Sequence, residues 1–235
     1  NYAYTVKDIL KLKPDGIDIN LGCSVRTVLS SGHCSALIKQ PQLVKEIIEA
    51  VKSESKNIPV SVKTRIGYDE IITEEWIGFL LEQKLDLITV HGRISKQGYN
   101  EPANWDEISK VVKLRDSISP TTVILGNGDI ENLDMANEYI EEYGVDGVMV
   151  GRAVMSNPWV FSGRENIPQN ERLSVLKKHL ELFKATWEGI KPFNTQKKHV
   201  KMYISGFEGA KEVRMGIMEC NTVKDALSTV EDYLY

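Results

Sequence analysis

The sequence predicts an α/β fold built from repeated strand–helix units, and three observations predict it. Short runs rich in β-branched residues recur through the first 163 residues. Amphipathic helical patterns lie between several of these runs. Polar residues stand at the end of every run, which is the edge where parallel α/β proteins build their sites. Strand and helix patterns that alternate in this way are typical of βα-repeat folds.

Five runs are expected to be buried strands of a parallel sheet, because each is short, apolar and rich in valine or isoleucine. They cover residues 16–20, 58–63, 85–90, 122–126 and 147–151. Apolar residues at helical spacing lie between them, within 43–51, 75–83 and 133–143. Residues 1–15 have the pattern of a helix that ends an earlier unit whose strand is absent.

Five units are fewer than the eight strands of a closed (β/α)₈ barrel, which typically takes about 250 residues. Two interpretations follow for these 235 residues. The sequence is a piece of a barrel that lacks three strands at its N-terminus, or the fold is an open five-stranded α/β sheet.

The pattern changes after Pro158, where no further strand is expected. Helical patterns cover 172–187, 196–204 and 210–218, and a last one begins at Asn221. The sequence therefore predicts two domains, an α/β domain over residues 1–163 and a small C-terminal helical-bundle domain over residues 164–235.

Composition excludes several classes of protein. Apolar residues make up 42% and the net charge is only −4, which argues against a disordered chain. No apolar run is long enough to cross a membrane, and the first residues do not resemble a secretory signal. Three cysteines are too few for a disulfide framework, so we expect a reducing, cytoplasmic location. We also expect a monomer.

Basic residues cluster between Lys191 and Lys201, a stretch without acidic residues that also holds Lys197 and Lys198. One interpretation is a solvated helix face, and the other is a surface that contacts phosphates.

Polar side chains follow all five predicted strands, in the pattern of a βα-protein active site. The sets are Asn20 and Cys23, Lys63 and Arg65, His91 and Arg93, Asn127 and Asp129, and Arg152. Because the carboxyl ends of parallel strands meet at one edge, we predict an active site there.

Two turns and two side chains at this edge have a specific chemical interpretation. The turns at 126–130 and 151–153 are glycine-rich, which suits a phosphate, although both could be ordinary tight turns. Lys63 ends a buried strand and needs an anionic or electron-rich partner. Cys23 could act as an acid or a nucleophile, or be inert. Cys34 follows nearby, but nothing else in the sequence supports a redox pair. No metal-ligand spacing occurs, so no metal site is expected.

Taken together, these segments resemble the tRNA-dihydrouridine synthases along nearly the whole chain. The matching pieces are Asp18-Ile19-Asn20-Leu21-Gly22-Cys23, Val62-Lys63-Thr64-Arg65-Ile66-Gly67, Thr89-Val90-His91-Gly92-Arg93, Gly126-Asn127-Gly128-Asp129-Ile130 and Asp146 to Ala153. Gln97-Gly98-Tyr99 and Pro102 to Trp105 also match. Lys198-His199 and Gly206 to Ala210 resemble the family's tRNA-binding domain.

The resemblance implies a TIM barrel, a (β/α)₈ barrel that binds FMN, followed by a helical tRNA-binding domain. NADPH would reduce the flavin, hydride would reach C6 of a tRNA uracil, and Cys23 would protonate C5. Lys63 and His91 match flavin-contacting positions. The positions that match the FMN ribityl-phosphate contacts are Asn127, Gly128, Asp129, Gly151 and Arg152. Asn20, Arg65 and Tyr99 match residues that hold the uracil, and Lys197, Lys198 and Lys201 would contact tRNA phosphates.

The sequence departs from the family pattern at three places. Ser24 stands after Cys23 where the family has proline, Cys34 stands where glycine is usual, and the first three barrel strands are absent. Two other functions stay open. One is a different FMN-dependent barrel oxidoreductase that acts on a small pyrimidine or ene substrate, and the other is a non-catalytic RNA-binding module.

Overall fold

The computed structural model describes residues 2–234, which divide into two compact units. The first unit comprises the chain up to Ile130 together with Asp134–Gly151. The second comprises Glu131–Leu133 and the chain from Arg152 onward. Each unit has its own core and is described separately.

Five strands alternate with helices in the first unit, as the sequence predicts. The strands are β1 (Ile17–Asn20), β2 (Val60–Arg65), β3 (Leu87–His91), β4 (Val123–Asn127) and β5 (Gly147–Met149). The helices are α1 (Tyr2–Leu10), α2 (Arg26–Ser30), α3 (Pro41–Ser55), α4 (Thr73–Glu82), α5 (Trp105–Ile118) and α6 (Leu133–Tyr143). A 3₁₀ helix, Cys34–Lys39, lies between α2 and α3.

The strands form one parallel sheet in the order β1-β2-β3-β4-β5, which is also their order in the chain. Parallel pairing requires a crossover between neighbours, and helices occupy each of these connections. The prediction of a five-stranded parallel α/β sheet is confirmed. The strand order never reverses within residues 2–234.

Strand β2 shows how the sheet separates its core face from its polar face. Val62 and Thr64 are fully buried, and the Thr64 hydroxyl accepts a hydrogen bond from Trp76 Nε1 on α4 at 2.9 Å. Successive side chains of a strand point to opposite faces. Lys63 and Arg65 therefore point away from α4, to the face that the helix does not cover.

Helix α5 has no counterpart among the helices predicted from sequence. Lysine and arginine residues interrupt its apolar stripe, so its period is less evident than that of its neighbours. The sequence signal for this helix is its N-terminal cap, Asn104. In the structure, the Asn104 side chain accepts a hydrogen bond from the Glu107 N–H at 3.1 Å. An Asx residue three positions before a glutamate is typical of a helix start.

The second unit is helical throughout its described residues. Two 3₁₀ helices, Arg152–Met155 and Val160–Ser162, precede α7 (Gln169–Trp187), α8 (Asn194–Tyr203), α9 (Ala210–Glu219) and α10 (Val223–Asp232). Its core contains Leu173, Leu176, Leu180 and Phe183, the stripe that the sequence shows on α7. Within residues 2–234, no helix combines the length and the apolar run needed to span a bilayer.

Candidate active site

The parallel register aligns the predicted site residues in two rows across the sheet. Asn20 on β1 is level with Lys63 on β2. Two residues further along, Arg65 is level with His91 on β3, and His91 is level with Asn127 on β4. Residues that are distant in sequence thus meet at the carboxyl edge of the sheet.

Asn20 fixes the start of the loop that holds Cys23. Its Oδ1 accepts hydrogen bonds from the Gly22 N–H at 3.0 Å and from the Cys23 N–H at 3.1 Å. An Asx side chain that bonds to the backbone two and three residues on is a local turn device. Cys23 is half-buried and forms no disulfide, and the loop holds it next to the end of β1.

Arg65 binds the same loop from the neighbouring strand. The side chain is only 5% exposed, and its Nε donates to the Gly22 carbonyl at 2.7 Å. Its Nη2 donates to the Ser24 hydroxyl at 3.2 Å, and its Nη1 donates to the Ile94 carbonyl at 3.1 Å. Ser24, the residue after Cys23, thus contributes a hydrogen bond that holds the loop. The predicted role of Arg65 in uracil binding stays a prediction.

Lys63 is half-buried and stands beside other cations. Within residues 2–234, its ammonium has neither a hydrogen-bond nor an ion-pair partner. Burial, and then the Arg65 guanidinium, lowers the pKa of Lys63, while Asp18 partly opposes this shift. A partly buried ammonium with a lowered pKa and no partner of its own is suited to bind an anionic or electron-rich ligand.

His91 lies among three cationic side chains and is 6% exposed. Burial, followed by the charges of Arg65, Lys63 and Arg93, lowers the pKa of His91 from 6.5 to about 3. Arg93 Nη1 lies 3.3 Å from His91 Nε2, and a guanidinium can only donate. The ring is therefore neutral, with Nε2 as acceptor and its proton on Nδ1.

Arg93 is the main site residue absent from the sequence-based assignments of roles. It is 3% exposed, and its Nη2 pairs with Asp129 Oδ2 at 2.5 Å. Its Nε donates to the Glu101 carbonyl at 2.7 Å. The sequence signal was its place after β3 in His91-Gly92-Arg93, but the pairing with Asp129 depends on tertiary structure.

The turn after β4 brings backbone atoms close to His91. Asn127 Nδ2 donates to the Met149 carbonyl at 2.7 Å, and the Asn127 carbonyl accepts from the Gly92 N–H at 3.1 Å. Gly128 has a φ of +132°, and a Cβ there would lie 2.5 Å from Ala103 Cβ. Only glycine fits this position.

Asp129, which was predicted to contact a cofactor phosphate, uses its carboxylate within the protein. Its Oδ2 accepts from Arg93 and also from the Ala103 N–H at 2.8 Å. The Asp129 carboxylate would repel a phosphate, because both groups are negatively charged. A phosphate at this turn would therefore be bound by backbone N–H groups.

The remaining predicted residues lie at the end of β5 and beyond. Gly151 closes the first unit, and a Cβ there would meet no atom within 4 Å. Arg152 begins the first 3₁₀ helix of the second unit. Tyr99 is 60% exposed, and its ring lies 5.6 Å from the Arg93 guanidinium carbon.

The basic segment of α8 is less uniform than its sequence indicates. Lys198 and Lys201 are exposed, whereas Lys197 Nζ donates to the Met218 carbonyl at 2.6 Å near the end of α9. Lys191 lies outside α8, with its ammonium 3.5 Å from the centre of the Trp187 ring. Over residues 2–234, no three His, Cys, Asp or Glu side chains group as metal ligands do.

Comparison with known proteins places these features in context. The sequence model of the family described as "Dihydrouridine synthase (Dus)" matches residues 2–234. The chain is 36% identical over 236 aligned positions to a probable tRNA-dihydrouridine synthase of Staphylococcus aureus, covering 99% of this chain and 71% of the relative. It is 34% identical over 221 positions to probable tRNA-dihydrouridine synthase 2 of Bacillus subtilis, covering 93% and 67%. A Staphylococcus epidermidis relative with the same description as the first is 35% identical over 222 positions, covering 93% and 67%.

Proposed function

Because the chain belongs to the dihydrouridine synthase family, we propose that it reduces uridines of tRNA to 5,6-dihydrouridine with FMN and NADPH. The observation that carries the proposal is the half-buried Lys63 ammonium, which has no ion-pair or hydrogen-bond partner within residues 2–234. It stands at the carboxyl edge of the sheet, next to Arg65 and His91. Such a group suits a ligand that carries or acquires negative charge.

We further propose that the five strands are part of a (β/α)₈ barrel. The support is their parallel pairing in chain order without reversal, and the alignment of polar residues at their carboxyl ends. The four long helices that follow, with their own apolar core, suit a separate helical domain that binds tRNA. The domain limits 1–163 and 164–235, the monomeric state and the cytoplasmic location stay predictions.

The residues of the sheet edge fit the ring of FMN by charge. Lys63, Arg65 and Arg93 are three cations, and only Arg93 has a carboxylate partner among the ion pairs formed by residues 2–234. When bound, reduced FMN would supply the hydride that NADPH provides and that C6 of the uracil receives. Lys63 would stabilise negative charge on the ring, and neutral His91 has its Nδ1 proton as a hydrogen-bond donor.

The phosphate of FMN would be held at the turns after β4 and β5. Asn127, Gly128 and Asp129 form the first turn, and Gly151 and Arg152 form the second. Gly128 keeps its backbone against His91 because it has no side chain. The backbone N–H groups of these turns are donors suited to a phosphate, and the assignment of Arg152 to this phosphate stays a prediction from the sequence.

Cys23 would donate the proton that C5 of the uracil receives. Protonation of carbon needs an acid held next to the ring, and such an acid typically contributes about 10²–10⁴-fold to the rate. Asn20 and Arg65 hold the Cys23 loop through three backbone groups, the N–H groups of Gly22 and Cys23 and the carbonyl of Gly22. The Asn20 amide nitrogen, which has no hydrogen-bond partner among residues 2–234, and the exposed Tyr99 ring would contact the base.

The target base must leave the tRNA stack to reach the sheet edge. Lys198 and Lys201 are exposed on α8 and would contact tRNA phosphates. Lys197 contributes less in this proposal, because its ammonium already donates to the Met218 carbonyl.

The test begins with the visible spectrum of the purified full-length protein and the identity of any released cofactor. We expect flavin bands, FMN release, and conversion of tRNA uridine to dihydrouridine with NADPH. Reduction of free uracil or uridine in place of tRNA would favour the small-pyrimidine oxidoreductase. A protein that cannot be loaded with FMN would favour the RNA-binding module.

Cys23→Ala tests the acid. The variant should keep flavin reduction by NADPH and lose tRNA reduction by about 10²-fold or more. Cys220→Ala, at a buried cysteine of the second unit, is the matched control and should keep both activities. If Cys23→Ala reduces tRNA at the wild-type rate, another group supplies the proton.

A further inference from the structure

The two partly exposed cysteines of the first unit lie against each other. Cys23 follows β1, and Cys34 begins the 3₁₀ helix Cys34–Lys39. The Ser35 hydroxyl donates to the Cys23 carbonyl at 2.7 Å, and the Ser35 N–H donates to the same oxygen at 3.3 Å. These bonds tie the residue that follows Cys34 directly to Cys23.

The side chains meet as well as the backbones. The two thiols are close enough to interact, because Ser35, the residue after Cys34, is held on the Cys23 carbonyl by both its hydroxyl and its N–H. Burial, and then the adjacent Cys23 thiol, raises the pKa of Cys34. Both thiols are free and half-buried, so a small oxidant can reach them.

The backbone of Cys34 is unusual for a residue with a side chain. Its φ is +53°, in the left-handed region that favours glycine. The chain therefore keeps a cysteine at a position where its own backbone disfavours one.

We propose that Cys23 and Cys34 form a redox-active dithiol that closes to a disulfide when the protein meets hydrogen peroxide. Arg65 bonds to Gly22 and Ser24, the residues on either side of Cys23, so a guanidinium stands beside this loop and we assign Cys23 as the thiol that reacts first. Cys34 is then the resolving thiol.

The reaction balances without any further reagent. The Cys23 sulfur attacks one peroxide oxygen, the O–O bond breaks, and sulfenic acid and water form. The Cys34 sulfur then attacks the Cys23 sulfur, the S–O bond breaks, and a second water leaves with the thiol proton. Two thiols are oxidised to one disulfide and one peroxide is reduced to two waters.

Under the proposed function, on which this consequence rests, the disulfide removes the proton donor of uracil reduction. Oxidation would therefore stop tRNA reduction, and a thiol reductant would restore it. The bond also protects Cys23 from irreversible oxidation to sulfinic acid, because a resolving thiol intercepts the sulfenic acid.

The test treats the reduced full chain with hydrogen peroxide and then alkylates the remaining thiols. Trypsin cleaves after Arg26, so Cys23 and Cys34 fall in different peptides, and their linked pair is directly visible by mass spectrometry. We expect that pair, the loss of two hydrogens in mass, and one remaining thiol, Cys220. Absence of the linked pair, or a link to Cys220, would overturn the proposal.

Cys34→Gly is the matched variant, because glycine accepts the positive φ and removes only the resolving thiol. We expect the reduced variant to keep its activity, and the oxidised variant to gain oxygen on Cys23 and to recover poorly with dithiothreitol. Full recovery, equal to that of the wild type, would overturn the proposal. A linked pair in a reduced protein that never reduces tRNA would refute the proposed function and leave the dithiol intact.

Discussion

His91 should make the first unit less stable as the pH falls below neutrality. Its imidazole is buried, neutral and surrounded by Arg65, Lys63 and Arg93, and its pKa is lowered to about 3. In the unfolded chain, the pKa of the same group returns to about 6.5. Between these two values the unfolded state binds a proton that the native state does not, so stability decreases as the pH falls through this range.

The size of the effect at pH 5 follows from this difference in protonation. The unfolded-state pKa of about 6.5 lies about 1.5 pH units above pH 5. At about 1.4 kcal/mol for each pH unit, the free energy of unfolding decreases by about 2 kcal/mol at pH 5. At pH 7 the loss is close to zero, because both states are then neutral. For a protein of this size, about 2 kcal/mol corresponds to a decrease in Tm of about 4–8 °C.

The assay compares thermal unfolding of the wild type and of His91→Gln at pH 7 and pH 5. Glutamine removes the titrating group and keeps an oxygen that can accept from Arg93 Nη1. All other titrating groups are common to both proteins, so the difference between their pH dependences isolates His91. We expect the wild type to lose about 2 kcal/mol more than the variant between the two pH values.

Two results would refute this reasoning. One is an equal loss of stability in both proteins. The other comes from NMR of the wild type, which also serves if the variant fails to fold. An imidazole that titrates with a midpoint near its ordinary pKa of 6.5 would show that the three cations do not keep His91 neutral.

Three further predictions concern the turn, the loop and the basic helix. Gly128→Ala should lower stability by about 1–3 kcal/mol, measured by urea unfolding, whereas Gly151→Ala should change it little. Ser24→Ala should lower the free energy of unfolding by about 1 kcal/mol in the same assay, because the Arg65 guanidinium loses a hydrogen-bond acceptor. An unchanged urea midpoint would refute a role for that bond. Replacing Lys198 and Lys201 by alanine should weaken tRNA binding and reduce the slope of its salt dependence by about 1–2; an unchanged slope would assign both to a solvated face.

The sequence was sufficient for the sheet, because strand periodicity is local. All five predicted strands are present, and β4 and β5 begin within one residue of their expected starts. Helix α6 has the bounds that its apolar spacing predicts, Leu133–Tyr143. Helix α5 was missed because its charged residues dilute the apolar stripe.

The candidate site was predictable in its location and much less in its contacts. Polar residues at strand ends identify the edge of a parallel sheet, and register then brings Arg65, His91 and Asn127 level. Which partner a side chain chooses depends on long-range packing. No local pattern indicates that Arg93 pairs with Asp129 or that Arg65 bonds to three different loop residues.

The three bonds of Arg65 have a consequence for motion. One planar guanidinium group joins the loop after β1, through Gly22 and Ser24, to the loop after β3, through Ile94. Neither loop can shift without breaking a bond to a charged group, which costs about 1.5–3 kcal/mol. We therefore expect a displacement of the loop after β3 to be passed on to the loop that holds Cys23.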